Sequence, residues 1–159
     1  MYELNAAPDS ARRLQDAVSL VRATPGYDTI GDDLARLLTQ GKLQFMPTLE
    51  DRGQATLGGR LLVGPEAVFS SPVSLAETLV HEHWHLRRQP PLEKTASFWL
   101  GVATGKPVMR RYEMPAYRSA LHFLVAVESA FPQFADEARA EQEMVRASFA
   151  EFYGGPLTE

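Results

Sequence analysis

Apolar residues near the start of the chain recur at intervals of three and four, which is the spacing of one helix face. This pattern predicts a first helix over residues 9–23. A second, shorter helix is predicted from Thr29, whose spacing to Asp32 resembles a capping box, and Gly41 ends it. The chain is therefore expected to begin with two short helices.

The next part of the chain has the residue pattern of short strands. Residues 43–49 and 55–64 are predicted to form two strands on either side of a turn at 51–54. Gly58 and Gly59 lie inside the second run, where paired glycines indicate a bulge or a bend.

From Ser74 onwards the pattern is helical. Ser74 and Glu77 have the spacing of a capping box, and the helix that they begin is predicted to reach Arg88. Further helices are predicted over 92–104, from Tyr112 or Met114 to Ala130, and over 133–153. Two or three strands followed by several helices indicate an α+β fold rather than a parallel βαβ series.

Composition narrows the class of protein. A chain of 159 residues with 45% hydrophobic and 23% charged residues is expected to form one globular domain, spanning 1–159. The absence of cysteine excludes disulfide scaffolds, thiolate metal sites and cysteine nucleophiles. The net charge of −4 argues against a nucleic-acid partner. No apolar run has the length of a membrane-spanning segment, and the N-terminus lacks the apolar stretch of a signal peptide. We therefore expect no membrane partner, no signal peptide and a cytoplasmic location.

The chemistry-bearing motif is His81-Glu82-His83-Trp84-His85, which contains H-E-x-x-H inside the helix predicted from Ser74. Two histidines four residues apart lie on one helix face, so both imidazoles can bind one cation. Glu82 is adjacent to the first histidine and can act as a base toward water without being a ligand. His83 lies about 200° around the helix from His81 and is expected to face away.

A catalytic zinc ion normally has three protein ligands and one open position. The metzincin continuation requires a glycine and a histidine where this chain has Arg88 and Pro91, so that class is excluded. A glutamate from a later helix is the remaining common choice, and Glu113 is the candidate. Pro115 should place Glu113 in the first turn of its helix or just before it. His122 is expected to point to the opposite side of that helix.

With these residues in place, the chain resembles the gluzincin metallopeptidases, in particular the small single-domain minigluzincins. The resemblance covers about residues 43–124. It implies a zincin-like α+β fold, with one zinc ion held by His81, His85 and Glu113. It also implies that Glu82 is the general base and later the general acid, and that the substrate is a peptide or protein.

Two further expectations come from the resemblance. The segment 60–64 is similar to the edge strand that pairs with an extended peptide in that family. Tyr117 has the place of an aspartate that orients a histidine in thermolysin-type members, so the corresponding carboxylate is not identified in this chain. The Tyr117 phenol could instead donate a hydrogen bond to an oxyanion, with plain helix packing as the alternative.

The charge pattern and the function leave alternatives open. Residues 86–118 contain seven basic and two acidic residues, which predicts either a solvated face or a basic rim that attracts an acidic substrate. The leading function is a zinc metallopeptidase, latent or narrowly specific. The alternatives are a metal-binding regulatory or interaction domain with little proteolytic activity, and a relic motif whose function lies on helix 133–153.

Overall fold

A computed structural model describes residues 3–88, 103 and 110–157, which form a mixed α+β fold that is mostly helical. Before residue 89 the elements are α1 (Glu3–Ala23), α2 (Asp28–Thr39), β1 (Leu43–Phe45), β2 (Gly53–Ala55), β3 (Leu61–Val63), α3 (Pro65–Val68) and α4 (Pro72–Arg88). After residue 109 they are α5 (Arg110–Ala130), a 3₁₀ turn (Pro132–Phe134) and α6 (Ala135–Tyr153). The predicted α+β class is confirmed.

The three strands form one small sheet in the order β1-β3-β2. β1 runs parallel to β3, and β2 runs antiparallel to it. The predicted pair of strands around a turn at 51–54 is therefore wrong. The antiparallel partner of β3 is β2, and the predicted turn supplies its first residues. Gly59 has φ +75° in the turn between β2 and β3, so the two glycines reverse the chain instead of forming a bulge.

In this strand order the edge of the sheet is formed by a different strand from the predicted one. β3 is the central strand, so segment 60–64 cannot be the edge strand that the sequence suggested. β2 is the edge beside α4, and it lies unusually close to that helix. A Cβ atom at Gly53 would be 2.7 Å from Cγ of Glu82, so the approach of strand to helix requires a residue without a side chain.

Helix α4 is the centre of the packing. It contacts α1, α2, α5 and β2, and every residue from Val73 to Val80 is buried. A helix that is enclosed on all sides has little freedom to tilt or slide. The HExxH motif occupies the C-terminal half of this helix, where one side opens toward β2 and the cavity described below.

Both predicted capping boxes are wrong. α4 begins two residues before Ser74, and the Ser71 hydroxyl accepts a hydrogen bond from the Ser74 N–H at 3.2 Å. The sequence carries serine at both positions, and Pro72 favours the earlier start because proline suits the first helical position. In α2 the helix begins at Asp28, before Thr29, and Asp32 forms an ion pair with Arg22 of α1.

The C-terminal helices follow the sequence prediction closely. α5 begins at Arg110, two residues before the earliest predicted start, and ends at Ala130 as predicted. The predicted helix 133–153 is divided into the 3₁₀ turn and α6. Of the predicted helix 92–104, only residue 103 is among the described residues, and it is helical. Within the described part of the chain, no helix combines the length and apolarity needed to cross a membrane.

Candidate metal centre

The structure brings His81, His85 and Glu113 together at the contact between α4 and α5. The two histidines are one turn apart on α4, and Glu113 lies in the first turn of α5, as predicted. Glu113 Oε2 is 3.3 Å from His81 Nε2 and 3.3 Å from His85 Nε2. All three donor atoms lie within 4.8 Å of one another.

This arrangement fits a zinc ion in two respects. Two imidazole nitrogens and one carboxylate oxygen are a donor set that catalytic zinc sites use. Ligands at about 2.0–2.2 Å in a tetrahedron are separated by roughly 3.3–3.6 Å. Both distances from Glu113 to the histidines are 3.3 Å, and the three donor atoms together lie within 4.8 Å, so the donors have to draw closer around an ion. The three residues can therefore hold one ion after small side-chain movements.

The electrostatics of the cluster favour a charged carboxylate. Burial by itself would raise the pKa of Glu113, but the hydrogen bonds to His81 and His85 outweigh it and hold the pKa at about 2. Burial would lower the pKa of His81, but its hydrogen bond to Glu113 and the charges of Glu82 and Glu113 raise it to about 9. Glu113 is therefore ionised at neutral pH, as a carboxylate ligand must be, whereas His81 is protonated and has to release its proton to bind an ion.

Glu82 lies beside the cluster and is not part of it. Its carboxylate Oε2 accepts a hydrogen bond of 2.9 Å from the backbone N–H of Ala55 in β2. Glu82 lines the same cavity, of about 660 Å³, as His81, His85 and Glu113. The Glu82 carboxylate thus lies between the cluster of His81, His85 and Glu113 and the edge of the sheet.

Two tyrosines, Tyr117 and Tyr153, also line the cavity. The Tyr117 ring packs edge-on against the His81 ring, with 4.8 Å between centroids, and Tyr153 of α6 lies 6.1 Å from Tyr117. Burial raises the pKa of Tyr117, and burial followed by the charge of Glu113 raises that of Tyr153 to about 12. Both phenols are therefore protonated donors at neutral pH. Sequence reasoning missed Tyr153, because nothing local distinguishes it from a packing aromatic.

The remaining histidines do not join the cluster. His83 Nε2 lies 2.8 Å from the Asp33 carboxylate of α2, which also accepts hydrogen bonds from Arg87 at 2.6 and 2.9 Å and from Arg36. His83 thus faces away from His81, as its helical position predicted. His122 is exposed on α5. Through His83 and Arg87, Asp33 holds α2 against the side of α4 that faces away from the cavity.

Replacing Asp33 with asparagine should remove a pH-dependent part of the stability. Burial by itself would raise the pKa of Asp33, but the hydrogen bonds from Arg87 and His83 outweigh burial and lower the pKa from 3.8 to about 2. A carboxyl group whose pKa falls on folding stabilises the native state above about pH 4, and this contribution is lost as the pH falls toward 2. We expect the Asn variant to lose about 2 kcal/mol of unfolding free energy at pH 7 and little near pH 2.

Urea unfolding at pH 7, 4, 3 and 2 would measure this difference. Asp16→Asn is the matched control, because Asp16 is exposed and its ion pair with Arg12 is long, at 3.8 Å. Parallel stability curves for the Asp33 variant and the unsubstituted protein would contradict the role given to Asp33.

No protein-family model, curated protein or solved structure matches the chain in comparisons with known proteins.

Proposed function

We propose that the protein is a zinc-dependent metallopeptidase with a zincin-like fold, in which His81, His85 and Glu113 hold one zinc ion. The observation that carries the proposal is the placement of Glu82. A carboxylate that is not a ligand lies beside a two-histidine, one-glutamate donor set and faces an open cavity. A purely structural metal site has no use for such a group, whereas hydrolysis requires it.

The roles of the residues follow from their positions. His81, His85 and Glu113 would hold the zinc ion, which when bound would supply Lewis acidity toward water and toward the carbonyl of the scissile peptide. Glu82 takes a proton from the attacking water and later delivers it to the leaving amine, as general base and then general acid. Tyr117 and Tyr153 are protonated phenols that line the same cavity and can donate hydrogen bonds to a developing oxyanion.

The edge strand β2 gives the substrate a backbone partner. Gln54 pairs with Leu62 of β3, the Arg52 carbonyl accepts the Gly64 N–H, and the Thr56 N–H donates to Arg60. These alternate residues point toward β3, so the backbone groups of Gly53 and Ala55 point outward. An extended peptide can add to this edge as a further strand. A carbonyl of that peptide would accept the Ala55 N–H in place of Glu82, which would release the Glu82 carboxylate for catalysis.

Protein purified without added metal should contain close to one zinc ion per chain and should cleave peptides from a mixed library. We expect a strong chelator to abolish cleavage and stoichiometric zinc to restore it, because the activity depends on one ion. Elemental analysis and mass spectrometry of the peptide products measure both quantities. His83→Ala is the control, since this histidine faces α2 and should leave zinc content unchanged.

Two outcomes would contradict the proposal. Cleavage that survives removal of the metal would exclude a metallopeptidase mechanism. Stoichiometric zinc with no cleavage of any peptide would instead favour a metal-binding regulatory or interaction domain.

A further inference from the structure

The cavity beside the candidate metal centre is strongly acidic. Apart from Glu82 and Glu113, five carboxylates line it: Glu50, Asp51, Glu66, Glu77 and Glu141. Among the described residues, Arg52 is the only arginine or lysine in the lining. The charge of the cavity wall is thus opposite to that of the basic segment 86–118. The described wall therefore favours cationic groups.

Glu77 is the most unusual of these carboxylates. It lies on α4 one turn before His81, and only 8% of its surface is exposed. Within the described part of the chain its one hydrogen bond comes from the Thr78 hydroxyl to Oε2 at 3.3 Å, and that hydroxyl also lies 3.1 Å from the Ser74 carbonyl. The other oxygen, Oε1, has no donor there. A buried carboxylate in this state is costly without a cationic partner.

The cationic groups whose charges act on Glu77 are His81 and Arg52, and neither forms an ion pair with it among the described residues. The Arg52 guanidinium donates to Ser74 and Thr78 and pairs with Glu66 at 3.5 Å. No ion pair between Arg52 and Glu77 occurs among the described residues. Burial raises the pKa of Glu77. The charges of His81 and Arg52 oppose this rise, and the charge of Glu141 of α6, which lines the same cavity, adds to it.

The surroundings of Glu141 suit a long cationic side chain. Met144, one turn along α6, lines the same cavity and is 51% exposed. Large apolar side chains left exposed beside a carboxylate can cover the methylene stem of a lysine or arginine while its charged end reaches the acid.

We propose that Glu77 and Glu141 form a cation-binding subsite, which takes the lysine or arginine side chain of a peptide lying along β2. This inference rests on the proposed function, because it concerns the substrate of the same cavity. It predicts a basic substrate, whereas the charge of segment 86–118 suggested an acidic one. Arg87, from that segment, is engaged by Asp33 on the other side of α4.

The test measures binding without turnover. Zinc-loaded Glu82→Gln protein is titrated with fluorescent peptides that differ only in one residue, which is lysine, norleucine or glutamate. We expect the lysine peptide to bind at least tenfold more tightly than the norleucine peptide, and the glutamate peptide to bind most weakly. Adding Glu77→Gln or Glu141→Gln should reduce the lysine preference to threefold or less, and raised salt should weaken it. Glu143→Gln, exposed on α6, is the matched control.

The outcomes separate this inference from the proposed function. Equal binding of the three peptides, tighter binding of the glutamate peptide, or no binding of any would overturn the subsite. So would an unchanged lysine preference in both the Glu77 and Glu141 variants. A lysine preference in a protein that cleaves nothing would leave the subsite standing and overturn the peptidase. Zinc content and circular dichroism show whether each variant folds, and the partly exposed position of Glu141 keeps one variant informative.

Discussion

Glu82→Gln is expected to lower kcat/KM by about 10²–10⁴-fold while zinc content and fold stay unchanged. Glutamine retains an oxygen that can accept the Ala55 N–H, so the contact between α4 and β2 is preserved. Glutamine cannot take a proton from water, and Glu82 is not among the three clustered donors. Only proton transfer should therefore be lost. Steady-state kinetics on a validated peptide, together with elemental analysis, measures both effects.

The matched control is Glu151→Gln, which makes the same chemical change at an exposed position of α6. It should keep the kcat/KM of the unsubstituted protein. Full activity in the Glu82 variant would exclude Glu82 as the base, and loss of zinc from that variant would make Glu82 a ligand.

Glu113→Ala is expected to lower zinc affinity by more than the 10–100-fold that is typical when a residue beside a ligand is changed. The reason is geometric, because Glu113 Oε2 is the one carboxylate oxygen within 3.3 Å of both His81 Nε2 and His85 Nε2 among the described residues. Competition between the protein and a chromogenic chelator measures the affinity. Glu113→Gln tests the same point with the shape of the side chain retained.

Two substitutions control for general damage to the helices. His122→Ala changes an exposed residue of α5. Glu93→Ala changes another glutamate downstream of the motif, which lies outside the described residues and follows Pro90 and Pro91 so closely that the sequence does not predict its return to His81 and His85. Both should leave zinc affinity nearly unchanged. Normal affinity in the Glu113 variants, or a large loss in the His122 variant, would remove Glu113 from the ligand set.

The sequence predicted the clustered donors well because the information is local. The i, i+4 spacing places His81 and His85 on one face of any helix, and the same geometry turns His83 away from them. Glu113 could be chosen because few later glutamates stand at the start of a helix that can pack against the motif. In the structure His81, His85 and Glu113 do lie together, at the contact between α4 and α5.

The sheet was harder to predict because strand order depends on contacts between distant residues. Each strand has three residues, too short for a pattern that distinguishes edge from centre. Leu61–Val63 is more apolar than Gly53–Ala55, and in retrospect this difference fits a central strand and an edge strand. The roles of Glu77 and Tyr153 were also not predictable, because their positions in the cavity depend on the packing of α6.

The contact between α4 and α5 also concerns the topology of the chain. His85 and Glu113 are 28 residues apart in sequence, and bringing the ends of such a segment together costs about 3 kcal/mol of chain entropy. An ion shared by the two helices would act as a cross-link that closes this loop. In a chain without cysteine, it would join the two helices in the native state, and its binding energy would add to the stability of the fold.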